Sequence, residues 1–183
     1  MKPNEALHPG HKSLRLPYRS YAEAGIYCVT ICAHKNLCVF GGVENDSVSL
    51  TSLGNLVMEH WQSIPFHFPN AKLHAFVVMP SHVHGLVELS SAPAPPSSEI
   101  RRRKFDAAAT SPGSLPAIIR SFKAIVARRA HSELRFKGEL WHRNYFERVI
   151  RTAKELSNAT QYIRENPTRW EMDRFNPEAA KIQ

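Results

Sequence analysis

The sequence predicts an α+β fold in which helices pack on a central antiparallel sheet, the class that includes ferredoxin-like topologies. Runs rich in β-branched and aromatic residues alternate with segments whose apolar residues recur at helical spacing. Two predicted strands, over 72–79 and 83–89, are close neighbours in the chain and can pair as an antiparallel hairpin. No internal repeat is visible, and 183 residues suffice for one domain with a hydrophobic core.

The first half of the chain opens with a buried strand over 25–32, where β-branched and aromatic residues dominate. Short strands are expected over 37–40 and 48–50, beside the turn signals of a glycine pair and Asn45-Asp46, which together would form a β-meander. From Ser52, apolar residues at helical spacing predict a helix that stops at Pro65.

The second half adds the strands over 72–79 and 83–89 and then a helix over 114–134, apolar on one face and basic on the other. A strand is predicted over 145–150. Thr152 and Glu155 then have the spacing of a capping box, which opens a helix that ends at Asn166 because Pro167 follows.

A single domain is expected over 21–176, with an N-terminal arm over 1–20, a mobile Pro/Ser-rich loop over about 90–112 and a tail over 177–183. No apolar run approaches the roughly 20 residues of a membrane span, and the N-terminus lacks the apolar core of a signal peptide. Three cysteines give neither a disulfide framework nor a zinc-binding pattern. We therefore expect a cytoplasmic protein with buried thiols.

The charge of the chain is unevenly distributed. Residues 1–100 hold 6 Lys and Arg against 7 Asp and Glu, whereas residues 101–183 hold 18 against 9, so the net charges are −1 and +9. A basic field of this size attracts polyanions, and nucleic acid is the leading partner class. The alternative is a solvated surface that only maintains solubility.

Two histidines stand close together in the stretch VMPSHVHG. Alternate side chains of a strand share a face, so His82 and His84 can converge on one metal ion. Two histidines that make ordinary hydrogen bonds at the end of a sheet are the structural alternative.

The last helix carries a second candidate pair. Tyr162 and Asn166 are four residues apart and share one helical face. A tyrosine can act as a covalent nucleophile, and an amide oxygen is a suitable ligand beside two imidazoles. The alternatives are a tyrosine ring that packs on the core and an asparagine that caps the helix.

Three ordered stretches, FVVMPSHVHGLVEL, LWHRNYFERVIR and QYIRENPTRW, resemble the single-tyrosine HUH transposases, and most closely their REP-associated tyrosine transposase-like branch. The resemblance extends over about residues 27–176. It implies the HUH endonuclease topology, with helices on a central antiparallel sheet.

The resemblance also implies a function and its residues. His82, His84 and Asn166 would bind a divalent cation, Mg²⁺ or Mn²⁺, and Tyr162 would be the catalytic nucleophile. The expected activity is that of a single-stranded DNA endonuclease and strand transferase, acting through a 5′-phosphotyrosine on hairpin-containing DNA. The enzyme would work as a monomer or a homodimer.

Two residues depart from the family pattern. Ser81 stands where asparagine is usual, and His142 stands where glutamine is usual. Neither is expected to touch a proposed ligand or the nucleophile. Tyr145 is a rival nucleophile, although packing or base stacking suits its place in a strand better.

A DNA-binding surface is expected from the basic half of the chain, on the loop and on the helix over 114–134. Phe105 and Phe146 are further stacking candidates. The residues assigned to DNA binding are Arg101, Arg102, Arg103, Lys104, Arg120, Lys123, Arg128, Arg129 and Tyr145.

Two other functions fit the same residues. A domesticated DNA-binding protein would bind without cleavage, although it has no chemical need for the histidine, tyrosine and asparagine set. A zinc hydrolase would use the histidines with water as nucleophile and would form no covalent DNA adduct.

Overall fold

The computed structural model describes residues 24–91 and 112–179; the expected N-terminal arm and most of the expected loop lie outside the described residues. The elements in chain order are β1 Gly25–Cys32, β2 Gly41–Glu44, β3 Ser47–Leu50, α1 Ser52–Gln62, α2 Ile64–His67, β4 Ala71–Val78, β5 His82–Leu89, α3 Leu115–Glu133, β6 Phe146–Ile150 and α4 Ala153–Glu165. Two 3₁₀ helices, His34–Asn36 and Pro167–Met172, complete the described part.

Four strands form one antiparallel sheet in the order β4-β5-β1-β6. Setting aside the separate β2–β3 hairpin, the chain runs β1-α1-β4-β5-α3-β6, which is the ferredoxin-like topology. The predicted fold class is confirmed. The final helix α4 follows β6 and is an addition to this pattern.

The two faces of the sheet carry separate cores. Tyr27, Val29 and Ile31 of β1 lie in the larger cluster, which also contains the apolar residues of α1 and α3. The alternate residue Cys28 packs with Leu86 and with Ile163 of α4 in the smaller cluster. Because side chains alternate along a strand, α4 faces the side of the sheet opposite to α1 and α3.

Helix α4 begins as its sequence predicts. The Thr152 hydroxyl accepts a 3.1 Å hydrogen bond from the Glu155 amide, and the Glu155 carboxylate accepts one of 2.7 Å from the Arg151 amide. The first bond satisfies an amide that the first helical turn leaves unpaired, and the second reaches the residue that precedes the N-cap Thr152. Helix α1 is capped in the same way by Thr51, whose hydroxyl accepts from the Gly54 amide.

The β-meander prediction is wrong. Residues 37–40 are not a strand, and β2 begins at Gly41 and pairs, within the described part of the chain, only with β3. Lys35 and Asn36 have positive φ values of 53° and 54°, which turn the chain away from β1. Phe40 is then fully buried, with its ring 5.1 Å from that of Trp141, so this apolar segment docks into the core instead of pairing.

Pro65 lies in the first turn of a second, short helix. Helix α1 ends at Gln62, and α2 starts at Ile64 with the proline in its first turn, a position that needs no amide hydrogen. The other predicted strands and helices are present with bounds shifted by one or two residues. Among the described residues, each helix is too short or too polar to span a lipid bilayer.

Gly85, which directly follows the two histidines, is required by packing on the opposite face. A Cβ atom there would lie 2.2 Å from Cζ2 of Trp61, a fully buried residue. We expect Gly85→Ala to lower the free energy of unfolding by about 1–3 kcal/mol, because the indole must move within a close-packed core. Chemical denaturation measures this.

Gly42→Ala is the matched control, since a Cβ at Gly42 meets no atom within 4 Å. Its unfolding free energy should stay within about 0.5 kcal/mol of the wild-type value. Equal losses for the two variants would contradict the packing argument.

Candidate active site

The two histidines lie together on the α4 side of the sheet. His82 and His84 are both fully buried at the start of β5, and their ring centroids are 4.5 Å apart. Antiparallel pairing places His82 opposite Cys32 and His84 opposite Thr30 of β1. The shared face predicted from their spacing is therefore present.

Hydrogen bonds to Nδ1 orient both imidazoles. The Ser81 hydroxyl donates to the Phe175 carbonyl at 2.8 Å, so its 3.2 Å contact with His82 Nδ1 is one in which the ring donates. His84 Nδ1 shares a 2.8 Å hydrogen bond with the Thr30 hydroxyl. With Nδ1 engaged, Nε2 is the nitrogen of each ring that can ligate an ion.

A carboxylate that the sequence analysis missed completes this group. Asp173 follows the Pro167–Met172 helix, and its Oδ2 lies 3.9 Å from His82 Nε2. Its side chain is only 6% exposed, and its Oδ1 accepts a 2.7 Å hydrogen bond from the Phe175 amide. Ligand atoms of His82, His84 and Asp173 lie within 4.8 Å of one another.

Helix α4 brings the proposed nucleophile to the same place. The Tyr162 ring centroid is 5.4 Å from that of His84, in an edge-on arrangement. Asn166, one turn later and 1% exposed, donates a side-chain hydrogen bond to the Tyr162 hydroxyl. Its buried Oδ1 has no hydrogen-bond partner among the described residues. The structure thus brings together all four residues that the sequence singled out for this site.

The electrostatics of the site follow from burial. Burial raises the pKa of Tyr162, and the Asp173 charge raises it further, whereas the hydrogen bond from Asn166 and the charge of Arg174 lower it. Burial also raises the pKa of Asp173, against the opposing hydrogen bond from the Phe175 amide and the charge of Arg174. The phenol is therefore protonated at neutral pH.

The residues present fit a divalent cation. Two imidazole nitrogens, a carboxylate oxygen and an amide oxygen are ligands of the kinds that Mn²⁺ and related ions take in proteins. The Asn166 oxygen, buried without a partner in the described structure, is a polar atom that coordination would satisfy. A cation would also offset the charge of the Asp173 carboxylate in this enclosed place.

Comparison with known proteins gives one close relative in sequence. An uncharacterized protein of Haemophilus influenzae is 34% identical over 179 residues, which cover 95% of this chain and 97% of that protein. The chain belongs to the same family as this protein. No protein-family model matches the chain.

Comparison of structures identifies a solved protein with a similar fold. A REP-associated tyrosine transposase, solved with a REP hairpin bound, superposes with a TM-score of 0.50 and 18% identity. The match covers 82% of this chain and 71% of the transposase chain. The fold that the sequence resemblance implies is therefore confirmed.

The structure gives the basic residues of α3 different environments. The Lys123 ammonium donates to the carbonyls of His142 and Arg143, and Arg129 pairs with Glu59 and Glu133. Arg120 and Arg128 are exposed. Helix α3 also lies across the sheet from the histidines.

The remaining residues assigned to DNA binding lie away from the histidines or outside the described part. Tyr145 packs against the larger core, on the α1 and α3 side, so the structure does not bring the rival nucleophile to the histidine pair. Arg101 to Lys104, like Phe105, lie outside the described residues. The assignment of these residues to DNA binding stays a prediction.

One expectation about the family departures is wrong. Ser81 does touch a proposed ligand, because its hydroxyl bonds His82 Nδ1 and the carbonyl of Phe175. It thereby ties the Asp173 turn to the histidine strand. His142 is exposed, and its backbone bonds Cys32 and Lys123.

Asp173 should contribute to metal affinity. Asp173→Asn keeps the shape and the Phe175 amide contact but removes the charge. We expect Mn²⁺ to bind at least about 10-fold more weakly, since even the loss of a residue that only hydrogen-bonds to a metal ligand has that effect. Isothermal titration calorimetry measures the change.

Asp46→Asn is the control, because Asp46 lies in the exposed β2–β3 turn and its loss should leave Mn²⁺ affinity unchanged. Unaltered affinity in Asp173→Asn would remove this carboxylate from the ligand set.

Proposed function

We propose that the protein is a metal-dependent single-stranded DNA endonuclease and strand transferase that acts through a 5′-phosphotyrosine on hairpin-containing DNA. One observation carries the proposal: a half-buried tyrosine lies against a buried His-His-Asp group and receives a hydrogen bond from a buried asparagine. A solely structural role would not require these groups to converge.

Tyr162 is the proposed nucleophile. Its hydroxyl oxygen attacks the phosphorus, a Tyr–O–P bond forms and the bond from phosphorus to the 3′ oxygen breaks. The phenol gives up its proton, and the departing 3′ oxygen takes up one, so the step is balanced in protons. The phosphotyrosine keeps the energy of the phosphodiester, so a second 3′-hydroxyl can reverse the reaction and join strands.

Asn166 assists by its position one helical turn from the nucleophile. Its donated hydrogen bond favours the phenolate and lowers the pKa of Tyr162 against the effect of burial. The carboxylate of Asp173 opposes ionisation of the phenol, which supports a need for added positive charge at this place.

A divalent cation, Mg²⁺ or Mn²⁺, is the proposed cofactor, held by His82, His84 and Asp173 with Asn166 as a further ligand. When bound, it would polarise the scissile phosphate and stabilise the charge that develops there. Imidazole ligands favour Mn²⁺ over Mg²⁺ in affinity.

The proposed substrate rests on charge and on analogy. The excess charge of +9 in residues 101–183 suits a polyanion, and the transposase of similar fold holds a REP hairpin. Tyr162 lies against the histidines of its own chain, which supports an active site completed within one polypeptide.

The test uses hairpin-containing single-stranded DNA from the flanks of the protein's own gene, with Mn²⁺ or Mg²⁺. We expect a covalent protein–DNA adduct on a denaturing gel, dependent on the metal and lost in Tyr162→Phe. Tyr162→Phe removes one oxygen from a half-buried residue, so circular dichroism should show an unchanged fold.

Tyr145→Phe is the matched control and should retain adduct formation. An adduct that persists in Tyr162→Phe and is lost in Tyr145→Phe would assign the nucleophile to Tyr145. Binding without any adduct would favour the domesticated DNA-binding function. Metal-dependent cleavage without an adduct would favour a hydrolase with water as nucleophile.

A further inference from the structure

The turn that carries Asp173 presents a second charged residue beside the site. Asp173 accepts from the Phe175 amide at 2.7 Å, and the Phe175 carbonyl accepts from the Ser81 hydroxyl at 2.8 Å. Asn176 adds a 3.0 Å hydrogen bond from its side chain to the Trp170 carbonyl. The turn is therefore fixed at both ends, with Asp173 directed toward the histidines and Arg174 exposed.

Two aromatic rings hold the Arg174 guanidinium. Its central carbon lies 4.5 Å from the ring centroid of Phe175 and 5.3 Å from that of Phe146. The Phe175 ring is in turn 4.8 Å from the His82 ring. The Phe175 ring therefore separates the guanidinium from the proposed ligand His82, and the two phenylalanine rings restrict the position of the guanidinium.

Contact with ring faces leaves the N–H donors of an arginine available. Among the described residues, no hydrogen bond or ion pair engages the Arg174 guanidinium. Arg129 and Arg169 contrast with it, since each bonds a glutamate carboxylate. Arg174 is therefore a positioned cation whose donors can serve a ligand.

The Arg174 charge acts on the proposed nucleophile and on the proposed ligand Asp173. Burial raises the pKa of Tyr162, and the positive charge of Arg174 acts in the opposite direction. Arg174 likewise lowers the pKa of Asp173 against the effect of burial. The guanidinium charge therefore favours the ionised form of the Tyr162 phenol, which is the form that attacks phosphorus.

We infer that Arg174 is a further catalytic residue, which binds a non-bridging oxygen of the scissile phosphate while Tyr162 attacks the phosphorus. The inference rests on the proposed function. A planar guanidinium can donate two parallel hydrogen bonds to phosphate oxygens, and it keeps its charge throughout the reaction. His82, His84 and Asp173 are buried, whereas Arg174 is exposed, so Arg174 would approach the phosphate from the exposed side.

The test compares two oligonucleotides that differ only at the scissile position, which carries either a phosphate or an uncharged methylphosphonate. We expect Arg174→Ala to slow single-turnover adduct formation on the phosphate about 100-fold, the usual cost of removing one donor that stabilises developing charge. On the methylphosphonate, wild type and Arg174→Ala should react at rates within a few-fold of each other. Arg174→Lys should recover only part of the rate.

Arg164→Ala is the matched control, since Arg164 is an exposed arginine two residues from Tyr162 on α4. Its rate on both oligonucleotides should stay within a few-fold of wild type. An equal loss for Arg174→Ala on phosphate and methylphosphonate, or no loss on phosphate, would overturn the inference.

A binding measurement separates this inference from the proposed function. In a Tyr162→Phe background, which does not cleave, Arg174→Ala should weaken binding of the phosphate oligonucleotide about 10-fold or more and leave methylphosphonate binding unchanged. If wild type forms no adduct with any substrate, the proposed function fails, and this comparison still decides whether Arg174 contacts the phosphate. Equal effects on both oligonucleotides would exclude the contact.

Discussion

The antiparallel pairing of β1 with β5 is the constraint on which the candidate site depends. The register sets Cys32 opposite His82 and Thr30 opposite His84, and it directs all four side chains to the α4 side of the sheet. The opposite side of β5 is filled by the larger core, where Trp61 packs over Gly85 and leaves no room for a Cβ. A shift of one residue would move both histidines into that core. The packing of the larger core on one face of the sheet therefore keeps both histidines on the opposite face, where the candidate site lies.

The C-terminal part of the described chain then encloses the histidines. Helix α4 supplies Tyr162 and Asn166, and the turn that follows supplies Asp173 and lays the Phe175 ring against His82. The Ser81 hydroxyl joins this turn to the strand and orients His82 through the same oxygen. Because both histidines are fully buried, polar contacts among them are shielded from water and are stronger than they would be on the surface.

Much of this arrangement follows from periodicity. The two-residue period of a strand predicts the shared face of His82 and His84, and the helical period predicts that of Tyr162 and Asn166. Asp173 escapes such reasoning, because it follows a 3₁₀ helix where no period relates it to the sheet, and Glu171 is an equal candidate by residue type. The strand propensity of residues 37–40 likewise predicts a strand. The structure has none there, because the positive φ of Lys35 turns the chain and Phe40 is buried in the core.

A count of charges does not show which side chains pair with other residues in the folded protein. For that reason the sequence suggests that more basic residues of α3 are available to bind DNA than the structure leaves unpaired. Lys123 donates hydrogen bonds to the backbone of residues 142–143, and Arg129 joins α3 to α1 through Glu59.

We propose that one divalent cation lies between the two histidines and Asp173. Anomalous diffraction from a crystal soaked in Mn²⁺ tests it most directly. We expect a peak bounded by His82, His84 and Asp173, and a crystal without a peak there would contradict the proposed metal site.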